Sequence, residues 1–434
     1  MDLLFKNVTA ITMMPEAPVL YNAQVGVKDG KIALITGASA LAPAARRVID
    51  GTNKVLIPGL YNCHTHAAMT LFRGFANDLA LEDWLFNHIF PAERKLTPEI
   101  VYTGTQIAIA EMVASGTVAF SDMYFFMDEV ARAADEAGVL ANVSNAVIGM
   151  DRDTYDFHED RVYAQSLNVL KSYHVNTGGR IRAEASIHGV YTSFAPAWKQ
   201  VTDFAGENSL RLHIHLSETK TEQDNCVAAY GKTPARVFEE HGVFDLPVTA
   251  AHCVWATEED MDILARHGVT AVHNPVSNLK LASGVAPVAR MLAKGVNVAI
   301  GTDGMSSNNS HDLFEEIKIA SILQKYAAND PTAAPALETL RMATVNGAKA
   351  QGRGDESGVL AEGYYADLVL MDFDSPRLTP CFDPVLGLAY SATGRDVAMT
   401  LCRGKILYEN GEYKTIDVEK ALFDARRYQK IITH

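Results

Sequence analysis

Three observations on this 434-residue chain predict an α/β fold: a (β/α)8 barrel of the TIM type with a small β-sandwich domain built from both chain ends. Through the middle of the chain, strand-like apolar runs alternate with helical patterns. Those runs number eight, the count that closes a parallel barrel. Both ends, by contrast, read as β, and neither has enough residues for a good core of its own.

Residues 3–12 and 19–36 alternate and are broken by Asp29-Gly30, a hairpin turn pair. The apolar run from Val55 to His66 reads as the first buried strand of the middle block. A helix over 98–115 follows, with Thr97 as its cap and Pro98 in its first turn. Strands are expected at 117–122, 139–147, 181–190, 210–216, 248–254, 268–273 and 297–301. Helices such as 128–137, 234–241, 258–266 and 312–326 lie between them. Residues 366–373 and 397–407 return to strand, the latter before the turn pair Asn410-Gly411. The expected division is 1–57 and 358–434 for the two parts of the sandwich, the second with a terminal helix, and 58–357 for the barrel.

With 48% hydrophobic and 21% charged residues, the chain has the composition of a soluble globular protein. A net charge of -14 without a basic stripe argues against a nucleic-acid partner. Five cysteines (Cys63, Cys226, Cys253, Cys381, Cys402) without CxxC spacing suit a reducing cytosol. The start lacks the pattern of a secretory signal, and no apolar run has the length of a membrane span, so a cytoplasmic location away from membranes is expected. The oligomeric state is left open, a homo-oligomer being compatible with all of this.

The polar residues at the strand ends carry the chemistry. His64 and His66 end the first strand and, two apart, share a face of it. His188 ends the fourth; His215 ends the fifth, with Glu218 just beyond; His252 ends the sixth; Asp303 ends the eighth. In a (β/α)8 barrel these ends line one mouth, where active sites sit. His64, His66 and His215 offer three imidazole nitrogens and Asp303 a carboxylate oxygen, a set suited to one catalytic divalent ion, most simply Zn2+, with Fe2+ or Mn2+ as alternatives. Such an ion makes hydroxide available near neutral pH. Glu218 is placed to shuttle a proton between water and substrate, Asp303 to accept a hydrogen bond from that water, and His252 to hydrogen-bond the attacking oxygen. In Leu212-His213-Ile214-His215, His213 shares a face with His215, so spacing alone does not choose between them.

The segments from Pro58 to His66, His215-Leu216-Ser217-Glu218-Thr219, His252-Cys253 and Gly301-Thr302-Asp303-Gly304 resemble the amidohydrolase superfamily. Leu71-Phe72-Arg73-Gly74, Asp83-Trp84-Leu85, the run from His273 to Asn278 and Ser307-Asn308-Asn309 narrow the resemblance to the 5'-methylthioadenosine/S-adenosylhomocysteine deaminases. The resemblance implies hydrolytic deamination of an adenine nucleoside. It implies His64, His66, His215 and Asp303 as ligands, which selects His215 over His213. It makes Glu218 the proton shuttle and His252 the water-orienting group. It further implies Trp84 as a pocket wall, Glu93 on the ribose hydroxyls, and His188 and Ser307 on the nucleoside. Two-metal members bridge their ions with a modified lysine ending the fourth strand; the run from Ile181 to His188 contains none, so a single metal is expected.

One position departs from the pattern. Where members that accept S-adenosylhomocysteine carry an arginine at the end of the third strand, this chain has Asn145, which cannot replace the charge. Arg152 and Arg161, just downstream, are candidates to compensate, though solvated charges are the simpler reading. The rival functions are the same chemistry on another heterocycle, a guanine-type base or an amino- or chloro-triazine, and, more remotely, a catalytically silent scaffold.

Overall fold

The computed structural model describes residues 1–79, 83–148, 155–174 and 176–433. Strands from both chain ends form one nine-stranded sheet. Its N-terminal members are β1 (Leu3–Ile11), β2 (Val19–Lys28), β3 (Lys31–Gly37), β4 (Arg47–Asp50) and β5 (Lys54–Pro58). The turn joining β2 to β3 is Asp29-Gly30, with φ of 51° and 77°; a two-residue hairpin of this type needs both residues in the left-handed region. The C-terminal strands join through β5, which pairs antiparallel with the strand Leu368–Asp372 and parallel with β1. Phe5, Val25, Ile32, Leu56, Leu368 and Leu401 belong to a small core of their own.

The apolar run from Val55 to His66 is two strands, not one. It leaves the terminal sheet at Pro58 and continues as β6 (Leu60–His66), beside β7 (Thr117–Met123). Gly59 permits the passage, since a Cβ there would lie 2.4 Å from the side chain of Val118. The stretch 397–407 is likewise a hairpin, Val397–Cys402 and Lys405–Glu409. Its turn is Arg403-Gly404, with φ of 46° and 75°; an arginine in the first position hid it from the sequence reading. The Asn410-Gly411 pair does turn, leading into the short strand Glu412–Tyr413.

The middle of the chain forms two parallel five-stranded arcs. One contains β6, β7, β8 (Leu140–Ser144), β9 (Ile181–Ala183) and, beside β6, β15 (Asp303–Gly304). The other runs β10 (Ala185–Ile187), β11 (Leu212–Leu216), β12 (Val248–His252), β13 (Thr270–His273) and β14 (Asn297–Ile300). Both arcs end on the same runs of chain: Glu184 alone separates β9 from β10, and Gly301 and Thr302 separate β14 from β15. A further parallel bridge links Val147 to Ile187. Helices between the strands include Pro98–Ala114, whose Thr97 side chain accepts from the Ile100 amide, and Glu258–His267, which starts on a Thr257/Asp260 capping box. The large core lies between strands and helices, with Phe120, Trp198, Phe238 and Phe314 among its members. Among the described residues no helix is long and apolar enough to cross a membrane.

Candidate active site

The C-terminal ends of β6, β11, β12 and the β14–β15 run bring His64, His66, His215, His252 and Asp303 together. One ring nitrogen from each of His64, His66 and His215 lies within 4.8 Å of the other two, and the ligand atoms of His64, His252 and Asp303 are equally close. Asp303 Oδ1 is 3.2 Å from Nε2 of both His64 and His66. His66 Nδ1 donates to the Met123 carbonyl at 2.5 Å, and His215 Nδ1 to the His188 carbonyl at 2.7 Å. A proton held on Nδ1 by a carbonyl leaves Nε2 as the lone-pair nitrogen, the usual way a protein prepares a histidine ligand. His213 lies on the far side of His64, its Nε2 3.0 Å from His64 Nδ1.

This arrangement fits a divalent cation. Burial outweighs the Asp303 carboxylate and holds the His64 imidazole down at about 4, so it stays neutral. Its Nε2 is buried without a hydrogen-bond partner. With the ring proton on Nδ1, that nitrogen turns a lone pair on a carboxylate oxygen, an arrangement that a cation between them makes favourable.

Around this cluster the hydrogen bonds fix direction. Asp303 Oδ2 accepts from Ser277 Oγ at 2.6 Å and from Ser307 Oγ at 3.1 Å, which leaves Oδ1 to the histidines. Asn278 and Asn274 donate to His252 Nδ1 at 2.9 and 3.3 Å. The proton of neutral His252 is therefore on Nε2, which lies 3.8 Å from Glu218 Oε2. Burial, and then the charge of Asp303, push the Glu218 carboxyl up to about 8. The buried Glu222 carboxylate accepts the amides of Ser217 and Glu218, fixing the turn that carries Glu218. Backbone strain concentrates here: His252 and Asp303 have φ of 77° and 61°.

A cleft open to solvent lies over the cluster. Trp84, Glu93, His188, Glu218, Asp303 and Ser307 all line it. Trp84 is buried, and its indole Nε1 has no hydrogen-bond partner. Burial raises the Glu93 carboxyl to about 7, against the donation from Tyr124 Oη at 2.7 Å. His188 Nδ1 lies 3.0 Å from Thr192 Oγ1. Asn145 also lines the cleft and donates to Gln165 Oε1 at 2.9 Å. Among the described residues no lysine or arginine lines it. Arg161 instead lines an adjoining hollow with Arg94 and stacks over Phe126, 5.1 Å from the ring centre. Arg152 lies outside the described residues.

Sequence reasoning missed Ser277, Tyr124 and Glu222. Each acts through another side chain or an amide, and no periodicity marks such a contact.

The sequence profile of the amidohydrolase family matches residues 55–407. The chain is 45% identical to a 5-methylthioadenosine/S-adenosylhomocysteine deaminase of Acetivibrio thermocellus over 99% of both chains. It is 44% identical to a 5'-deoxyadenosine deaminase of Methanosarcina acetivorans over 98% of this chain and 97% of the other. Among solved structures, an adenosine deaminase from Xanthomonas campestris with bound zinc superposes with a TM-score of 0.94 at 34% identity, covering 100% of this chain and 98% of that one.

Proposed function

The chain belongs to the amidohydrolase family, and on that premise we propose that it is a metal-dependent deaminase of adenine nucleosides, releasing ammonia and the hypoxanthine nucleoside. The two arcs are read as one closed (β/α)8 barrel over 58–357, and the terminal sheet as a sandwich formed by 1–57 and 358–434. The observation that carries the proposal is the meeting of three histidine nitrogens, the Asp303 carboxylate and a protonatable Glu218 beneath one cleft.

In this reading His64, His66, His215 and Asp303 hold one divalent ion, most simply Zn2+. Bound there, the ion supplies hydroxide near neutral pH. Glu218 takes the water proton and delivers it to the ring nitrogen beside the amine-bearing carbon as the new C–O bond forms. His252 Nε2–H steadies the attacking oxygen. Asp303, held by Ser277 and Ser307, accepts its remaining proton. The now ionised Glu218 passes that second proton from Asp303 to the leaving nitrogen, the C–N bond breaks, and ammonia departs. A carboxyl near the working pH suits a group that must accept and donate in one cycle. Trp84 walls the pocket, His188 and Ser307 contact the nucleoside, and Glu93, oriented by Tyr124, takes the ribose diol.

Ammonia release across adenosine, 5'-methylthioadenosine, 5'-deoxyadenosine, S-adenosylhomocysteine, guanine and triazines tests this. Nucleosides with a neutral 5' group should be preferred, because Asn145 offers a substrate carboxylate no charge and the cleft wall has no cation among the described residues. The missing charge-assisted hydrogen bond is worth roughly 1.5–3 kcal/mol, or about one to two orders of magnitude in kcat/KM. Glu93→Ala should weaken every riboside and spare any free base. S-Adenosylhomocysteine preferred tenfold would contradict the reading of Asn145 and direct attention to Arg94 and Arg161 in the adjoining hollow. Turnover confined to guanine or triazines would overturn the nucleoside assignment itself.

A further inference from the structure

His66 and His215 each donate Nδ1–H to a backbone carbonyl, a partner that no substitution removes. The third histidine of the cluster differs, because His64 Nδ1 meets a side chain, His213 Nε2, at 3.0 Å. Either ring can donate across that contact, and the choice matters. If His213 donates, the neutral His64 must carry its proton on Nε2, pointed at Asp303 and away from metal binding.

The other side of His213 decides the matter. Its Nδ1 faces Glu184 Oε2 at 3.8 Å, and both atoms are buried without another hydrogen-bond partner. The second oxygen, Oε1, accepts from Asn142 Nδ2 at 2.7 Å and lies 3.7 Å from Arg211 Nε. Arg353, itself fully buried, donates to Asn142 Oδ1 at 3.1 Å and braces that side. Glu184 is thus held with one acceptor oxygen turned to His213 Nδ1, 3.8 Å away. An acceptor carboxylate draws the His213 proton to Nδ1. His213 Nε2 then accepts from His64 Nδ1–H, and His64 Nε2 is left as a lone pair aimed into the cluster.

We propose that Glu184 and His213 form a side-chain relay that sets the tautomer of His64, and that they are positioning residues governing how tightly the cluster holds its metal. The relay rests on the metal-site reading given above. It also explains why the buried carboxylate between β9 and β10 and the buried histidine of β11 face each other with those atoms unpaired.

The test is the zinc dissociation constant of the full-length protein, measured by chelator competition, with thermal melting of the metal-free form as a control for folding. His213→Leu fills space but cannot accept, so affinity should fall about 10–100-fold, the usual cost of losing a residue that orients a ligand. His213→Gln restores an acceptor and should recover affinity to within about threefold of wild type on the same scale. Glu184→Gln should cost about three- to tenfold alone, and nothing further in the His213→Leu background, because both act through one bond. If His213→Leu does not fold, the Glu184→Gln affinity decides. A folded His213→Leu protein with wild-type affinity, equal losses for Leu and Gln at 213, or independent losses at 184 and 213 would overturn the relay while leaving the metal site standing. A wild-type protein that binds no zinc would overturn the metal site and the relay with it.

Discussion

Replacing Glu218 by Gln should lower kcat by about 10²–10⁴-fold, at the upper end of that range, while KM changes little. The substitution keeps the shape of the side chain and the Glu222 contact to its backbone amide. It removes the carboxyl to which the proposal assigns proton transfer to the ring and to the leaving nitrogen. Each factor of ten corresponds to about 1.4 kcal/mol of transition-state stabilisation, so the expected loss is about 3–6 kcal/mol. Steady-state kinetics with adenosine, together with substrate affinity by calorimetry, separates the two effects. A variant retaining more than about a tenth of the wild-type kcat would exclude Glu218 as the shuttle on that scale.

Removal of a ligand is the second large effect. His66→Ala deletes a nitrogen whose orientation is fixed by the Met123 carbonyl and whose Nε2 lies 3.2 Å from Asp303. Metal content, measured by elemental analysis, should fall from about one ion per chain to a small fraction, and turnover should fall to background with it. Stability gives an independent readout. An ion bound only by the folded state adds about 4 kcal/mol when present at a thousand times its dissociation constant. A chelator should therefore lower the melting temperature of the wild-type protein and leave that of His66→Ala unchanged. A fully metallated, active His66→Ala protein would contradict the ligand set.

The parts of the site legible in the sequence are those that strand geometry marks. His64 and His66 stand two apart at the end of an apolar run, and His215, His252 and Asp303 close later runs of the same kind, so the period of a strand and the mouth of a barrel were enough to gather them. What the sequence left dark depends on contacts across folded distance. Ser277 reaches Asp303 from the helix after β13, and Tyr124 reaches Glu93 from the end of β7; neither pairing leaves a spacing to read. The choice between His213 and His215 came from resemblance alone, because the two share a strand face; in the structure His215 lies with His64 and His66, and His213 backs His64. The fold was misread where a turn wore ordinary residues. Arg403 takes a left-handed conformation that its residue type does not signal. At Pro58-Gly59 an unbroken apolar run concealed the passage from one sheet to another, and the steric need for glycine against Val118 appears only once the strands are packed.

The most direct test of the central claim is the fate of the amine and the oxygen when zinc-loaded protein turns over 5'-methylthioadenosine in 18O-labelled water. Hydrolytic deamination predicts one ammonia per nucleoside consumed and a hypoxanthine nucleoside carrying a single 18O atom on the carbon that bore the amine, with the ribose bond intact. Release of a free purine base, an unlabelled product, or no reaction with any adenine nucleoside in the panel would contradict it.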